Sequence, residues 1–164
     1  MSEYRAIEPS ADARGVRVAV VASRYHDDVI DAMVAGAIEC FERCGGDGGD
    51  VTVVPAPGAF ELPTIASSCI ASGWFDVFVV LGCIVRGETR HDEVIADAIA
   101  SQITHLACEH HVAIGFGVLT VETLEQALAR AGGEKGNKGA EAMQAALEAH
   151  TTMRRVDSGA GVRE

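Results

Sequence analysis

The sequence predicts an α/β protein, a three-layer αβα sandwich built around a parallel sheet. Three observations point there. Short apolar runs alternate with segments of helical periodicity along the chain. Those runs are β-branched and uninterrupted, as in strands covered on both faces. The length, 164 residues, suits one domain with four or five such strands.

The elements follow in order. Residues 17–21 read as a first strand. Over residues 26–44, apolar side chains recur at Ile30, Met33, Val34, Ala37, Ile38, Phe41 and Cys44. Asp27, Asp28, Asp31, Glu39 and Glu42 fall off that stripe, which predicts an amphipathic helix. Gly45, Gly46, Gly48 and Gly49 end it. Residues 50–55 are a second strand. Residues 62–72 are a helix, with Pro63 in its first turn and Gly73 at its close. Residues 77–81 are a third strand. Residues 91–110 form a long helix with Ile95, Ile99, Ile103 and Leu106 on one face. Residues 112–119 are a fourth strand. Thr123 and Gln126 have the capping-box spacing that opens a short helix. A last helix covers residues 139–155.

Strands alternating with helices imply crossover connections. The predicted order is 2-1-3-4, a flavodoxin-like arrangement of four parallel strands. Residues 1–15 are expected to be an arm or an extra strand, ordered against a neighbouring subunit. Residues 16–156 form the single domain, and residues 157–164 a fraying tail.

Composition narrows the function. The chain carries 24 acidic and 13 basic side chains, a net charge of -11. That balance argues against nucleic acid as a partner. No apolar run approaches the roughly 18 residues that span a bilayer. The first 15 residues are polar and include Glu3, Arg5, Glu8 and Asp12, unlike a secretory or transit segment. A cytoplasmic protein acting on small molecules is the expectation. The five cysteines contain no CxxC pair and read as buried small side chains, not as a disulfide framework or a zinc site. The only two lysines, Lys135 and Lys138, share one glycine-rich stretch.

In open α/β sheets, ligands bind beyond the carboxyl ends of the strands. The unusual residues cluster there. Ser23-Arg-Tyr-His26 follows the first strand, and Pro57-Gly-Ala-Phe-Glu-Leu-Pro63 the second. Gly82-Cys-Ile-Val-Arg-Gly-Glu-Thr-Arg-His91 follows the third. Thr89 and Asp92 have cap spacing, so free amides near the start of the long helix, with Arg86 and Arg90 beside them, suit an anion. The alternative is plain capping with solvated arginines. His91 on that turn is a candidate proton carrier. His105, His110, His111 and His150 read as ordinary histidines, and the first three lack metal-site spacing. Gly58 and Ala59 leave room for a ligand against the main chain. Phe60 and Tyr25 are either packed or ring-stacking. Glu61 is either an exposed charge at a helix start or an acceptor for hydroxyl groups. Arg130 either neutralises a helix C-terminus or, with the two lysines, faces an anionic ligand.

Five blocks together resemble the lumazine synthase family. They are VASRYH (Val21 to His26), PGAFELP (Pro57 to Pro63), LGCIVRGETRH (Leu81 to His91), GFGVLTVETLEQALARAG (Gly115 to Gly132) and GNKGAEA (Gly136 to Ala142). The resemblance implies that 5-amino-6-(D-ribitylamino)uracil condenses with 3,4-dihydroxy-2-butanone 4-phosphate. The products are 6,7-dimethyl-8-ribityllumazine, phosphate and water, with no cofactor and no metal. It also implies roles. His91 matches a proton-shuttling histidine. Arg130 matches a phosphate-binding arginine, helped by amides around Glu88 and Thr89. Tyr25 matches an aromatic that stacks on the pyrimidine, usually Phe or Trp, and His26 a residue that is asparagine in many members. Glu61 matches a ribityl-binding glutamate. Gly58, Ala59, Phe60, Cys83, Ile84 and Val85 line the pyrimidine pocket. Phe116 and Lys138 match residues supplied by an adjacent subunit. A homopentamer is implied, and the short Gly132 to Gly139 connection favours twelve pentamers in a hollow 60-subunit shell. The rival readings are a non-catalytic flavin or lumazine carrier, a shell protein on the same fold, and a receiver-type signalling module. A carrier needs neither His91 nor Arg130, a shell protein tolerates loss of the RGETRH block, and a receiver needs an acceptor Asp that no third strand end supplies.

Overall fold

In the computed structural model, residues 4–160 are described. The elements are β1 (Val18–Ser23), α1 (Asp27–Arg43), β2 (Val51–Ala56), α2 (Leu62–Ser72), β3 (Val77–Val85) and α3 (His91–His110). They continue with β4 (Ala113–Val121), α4 (Leu124–Ala129), β5 (Ala131–Gly133), β6 (Gly136–Asn137) and α5 (Lys138–Ser158). The main sheet has the order β2-β1-β3-β4, all parallel, which is the predicted flavodoxin-like sandwich.

Alternation along the central strands divides the core. Val18, Val20, Ala22, Val77, Val79 and Leu81 face α1 and α5 and pack with Met33, Phe41, Met143 and Leu147. Ala19, Val21, Phe78 and Val80 face α2 and α3 and pack with Leu62, Ala66, Ile99 and Ile103. Each large side chain so buried contributes about 1.5–3 kcal/mol. The α1–α5 contact is close because two glycines allow it. A Cβ on Gly139 would lie 1.9 Å from the Met33 carbonyl oxygen, and one on Gly36 would lie 2.3 Å from the Asn137 amide.

Four expectations change. β3 runs to Val85, not to Leu81, because β4 lies beside it and pairs through Val85↔Val121. The short Gly132 to Gly139 connection carries structure of its own. Gly132 and Gly136, at φ 110° and 81°, turn it into the antiparallel hairpin β5–β6. α5 begins one residue earlier and continues to Ser158, where Gly159 closes it in the left-handed conformation, so residues 157 and 158 are helical rather than frayed. Residues 161–164 of the expected tail, and residues 1–3 of the expected arm, lie outside the described residues. The rest of the arm is partly held by its own chain. Ala13 is fully buried and its N–H donates to the Cys44 carbonyl (3.1 Å), while Arg155 donates to the Glu8 carbonyl (2.6 Å).

Candidate functional site

A crevice opens between β1 and β3, where the strand order reverses. β1 pairs with β2 through Ser23↔Ala56, but with β3 only as far as Ala22↔Leu81. From Gly82 to Val85, β3 pairs with β4 alone. The edge of this segment that faces β1 therefore has no strand partner among the described residues. Its backbone groups need partners, and a planar ligand with donors and acceptors on its rim can supply them. Cys83 and Ile84 are buried and Val85 is half-buried. Burial pushes the Cys83 thiol up, which favours its protonated form.

One wall of the crevice comes from the ends of β1 and β2. His26 caps α1 in the left-handed conformation (φ 61°, ψ 59°), and its carbonyl accepts from the N–H groups of Val29 and Ile30. That backbone region favours Asn, Asp and His among residues with a side chain, which suits this position. Tyr25 stands edge-on to the His26 ring at 6.4 Å. Gly58 is the neighbour of both Tyr25 and Glu61. A Cβ there would lie 3.2 Å from Glu61 Oε2 and 3.9 Å from Tyr25 Cδ2. Ala59, Phe60 and Glu61 form a single 3-10 turn that runs into α2. Tyr25 is 68% exposed and Phe60 63%, so neither aromatic serves the core. Ala59 is half-buried against α2 and α3.

The other wall is the segment between β3 and α3. Arg86 is anchored twice. Its N–H donates to the Val121 carbonyl (2.8 Å), and its Nη1 pairs with Glu122 Oε1 at 3.1 Å. Gln126 in turn accepts from the Glu122 N–H at 2.9 Å. Arg90 Nε pairs with Glu93 at 3.1 Å. Both arginines are exposed to solvent and each also pairs with a carboxylate. The expected cap does not form. α3 starts one residue later than the Thr89–Asp92 spacing requires, with Arg90 at the cap and no side chain accepting from the first-turn amides. Those amides are left for solvent or for an anion, with the positive end of the helix dipole behind them. Glu88 and Thr89 are exposed just ahead of the helix, and His91, its first residue, is exposed too.

Arg130 and Lys138 form a separate group. The Lys138 N–H donates to the Arg130 carbonyl at 2.7 Å. The Arg130 Nη1 returns to the Gln126 carbonyl (3.1 Å), and Lys138 Nζ pairs with Glu141. No hydrogen bond or ion pair among the described residues joins this group to His91. Phe116 is likewise apart. It sits in the middle of the edge strand β4, opposite Val80, and is 41% exposed.

Sequence reasoning missed Asn137. Its Oδ1 accepts from Gly139 and Ala140, which caps α5, and its Nδ2 donates to the Ala32 carbonyl of α1 at 2.9 Å. The available signal was an Asn directly before a helix start. It also missed the Arg86–Glu122 pair, which links residues 36 positions apart and has no local signature. Among the described residues, no group of three or more His, Cys, Asp or Glu is placed to hold a metal ion. Likewise, no described helix is long and apolar enough to cross a membrane.

Fold and site together define a small-molecule-binding α/β protein, with an aromatic wall, a carboxylate and an uncapped helix start around one crevice. Comparison with known proteins narrows the class. The family described as 6,7-dimethyl-8-ribityllumazine synthase matches residues 15–154. A 6,7-dimethyl-8-ribityllumazine synthase of Desulfovibrio desulfuricans is 41% identical over 153 residues, 93% of this chain and 98% of that protein. Enzymes of the same name from Chlorobaculum tepidum and Chlorobium limicola are 45% and 42% identical, over 87% and 89% of this chain and 92% and 94% of their own lengths. The chain belongs to the 6,7-dimethyl-8-ribityllumazine synthase family.

Proposed function

We propose that the chain condenses 5-amino-6-(D-ribitylamino)uracil with 3,4-dihydroxy-2-butanone 4-phosphate. The products are 6,7-dimethyl-8-ribityllumazine, phosphate and water, the penultimate step of riboflavin biosynthesis. The observation that carries this reading is the crevice beyond Leu81, with its unpartnered β3 edge between the Tyr25–Gly58–Glu61 cluster and the start of α3.

The pyrimidine stacks on Tyr25 and meets the main chain of Ala59, Ile84 and Val85, with Phe60 and Cys83 completing the lining. Its ribityl hydroxyls bond to Glu61 and reach His26, and Gly58 leaves room for the chain. The phosphate of the second substrate lies between Arg130 and the amides near Glu88 and Thr89. The pyrimidine amine attacks the ketone and loses one water to give an imine, phosphate leaves, and ring closure releases a second water. His91 carries the protons. Most of the acceleration comes from holding two substrates together, and proton transfer adds about 10²–10⁴-fold.

Phe116 and Lys138 serve a neighbouring subunit's site, which fits their separation from Tyr25 and His91 in one chain. The assembly is a homopentamer, and the short connection between α4 and α5 favours a 60-subunit shell in the cytoplasm. The outer edge of β2 supports an added strand from a neighbour, since Thr52 and Val53 are exposed and no described strand pairs with that edge. Mixing the purified protein with both substrates tests the function. Lumazine absorbance and fluorescence should rise well above the uncatalysed rate, and a rate equal to background refutes it. Light scattering tests the shell, and a clean pentamer refutes it.

A further inference from the structure

A second polar cavity lies at the opposite end of the sheet, and the proposed reaction does not use it. It measures about 710 Å³. Asp12 and Arg14 line it from the N-terminal segment, and His150, Thr151, Arg154 and Arg155 line it from one face of α5. Val16, just ahead of β1, is also in its wall. The six residues of β1 therefore separate it from the crevice, a distance of about 20 Å.

The lining carries surplus positive charge in an acidic chain. Three arginines face two aspartates, and both aspartates are already engaged. Asp12 holds Arg14 through both carboxylate oxygens, and Asp157 holds His111 at 3.1 Å. Arg155 donates to the Glu8 carbonyl and is the one basic residue in the last turn of α5, where the helix dipole favours a cation. That account does not extend to Arg154, which lies before the last turn. Arg154 makes no hydrogen bond or ion pair with any described residue, and neither does the Thr151 hydroxyl. His150 responds to this surplus. Burial, and then Arg154, push it below the usual histidine range against the weaker pull of Asp76. The neutral form of the ring is therefore favoured beside the arginines.

We propose that this cavity binds a phosphate ester, with the guanidinium groups of Arg154 and Arg155 and the Thr151 hydroxyl as its donors. A guanidinium fork matches two phosphate oxygens, and a second cation one residue away suits a dianion. The volume falls within the range of small-molecule sites. The site is independent of the crevice, because Arg130 and the start of α3 take no part in it.

Equilibrium dialysis against radiolabelled inorganic phosphate, at ionic strength held constant with chloride, tests the proposal. Arg130→Gln removes the phosphate contact assigned to the reaction, and this variant should still bind phosphate. Adding Arg154→Gln to it should weaken that binding about tenfold or more, as loss of a charge-assisted bond does. Thr151→Val, which leaves the charge unchanged, should weaken it by a smaller factor, and methyl phosphate should compete. Arg154 is exposed, so its replacement spares the fold. In the unmutated chain, Arg154→Gln should likewise remove one phosphate per chain. The proposal is overturned when Arg130→Gln binds no phosphate, or when its binding survives Arg154→Gln unchanged. A chain that retains this phosphate yet fails to make lumazine overturns the enzymatic reading and leaves this one standing.

Discussion

Replacing Asn137 tests how α5 is set against α1. In Asn137→Ala three hydrogen bonds are lost. Two are the cap bonds from Gly139 (2.9 Å) and Ala140 (3.1 Å), and the third is the donation to Ala32 (2.9 Å). Loss of the cap costs about 1 kcal/mol. Loss of the bond to Ala32, with a half-buried carbonyl left over, costs about 1 kcal/mol more. The void above Gly36, where the amide packs at 2.3 Å from a would-be Cβ, adds about 1 kcal/mol. Together the change is about 3 kcal/mol, if the terms add. Asn137→Asp keeps both cap bonds and gains from the helix dipole, but it turns an acceptor toward the Ala32 carbonyl. Its cost should be about 1–2 kcal/mol. Urea unfolding at one fixed protomer concentration reads the order, since assembly contributes to stability. Wild type should be most stable, then Asp, then Ala. An Ala variant within about 0.5 kcal/mol of wild type, or an Asp variant as weak as Ala, refutes the reasoning.

Three other outcomes are expected. His91→Ala should lower turnover by about 10²–10⁴-fold with pyrimidine affinity retained, while Tyr25→Phe should be nearly silent; an unchanged kcat for the first removes the proton-shuttle role. Ser23 is 2% exposed and its Oγ has no partner among the described residues, so Ser23→Ala should leave stability unchanged or raise it by about 1 kcal/mol; a clear loss in thermal unfolding would show that the hydroxyl is bonded. The Arg17 side chain, and then its N–H, hold the Asp76 carboxyl below the usual range against burial. Because the folded value lies below the unfolded one of about 3.9, this contribution is present above about pH 4 and lost as the pH falls through the folded value. Asp76→Asn should therefore flatten the acid side of a Tm–pH profile, and a profile of unchanged slope refutes the coupling.

Much of the fold was legible because its signals are local. α2 and α3 have the predicted bounds, and α2 ends at Gly73 in the left-handed conformation (φ 69°) that glycine adopts without strain. The end of β3 was not legible, because its cause is the neighbouring strand. Gly82 to Val85 is extended since residues 118–121 run alongside, and no residue within the segment signals it. Thr89 failed for a related reason. The segment after β3 is fixed by Arg86 to Val121 and Glu122, and the helix begins one residue past the cap spacing. In the site, Tyr25, Gly58 and Glu61 were placed correctly as strand-end residues, since chain order alone puts them there. The cap that Asn137 makes had a local signal, but its bond to Ala32 did not, since that residue lies 105 positions away. Residue type and spacing therefore put these residues at the strand ends, while long-range pairing decided which polar groups there remain free.

The separation of the site residues within one chain has a consequence that assembly can test. Phe116 lies five residues before the end of β4, well short of the carboxyl ends that carry Tyr25 and His91. An exposed aromatic on an edge strand gains little by serving its own core, but it can close a crevice on a neighbour. If each site takes His91 from one chain and Phe116 from the next, two inactive variants should rescue each other. His91→Ala supplies intact Phe116, and Phe116→Ser supplies intact His91. Random co-assembly of equal amounts should restore about a quarter of the sites, the chance that both neighbours are of the required kind. Unfolding and refolding the two variants together, then measuring lumazine formation, reads that fraction. Activity no greater than the sum of the two variants alone places Phe116 outside the neighbour's site and makes each chain's crevice self-sufficient.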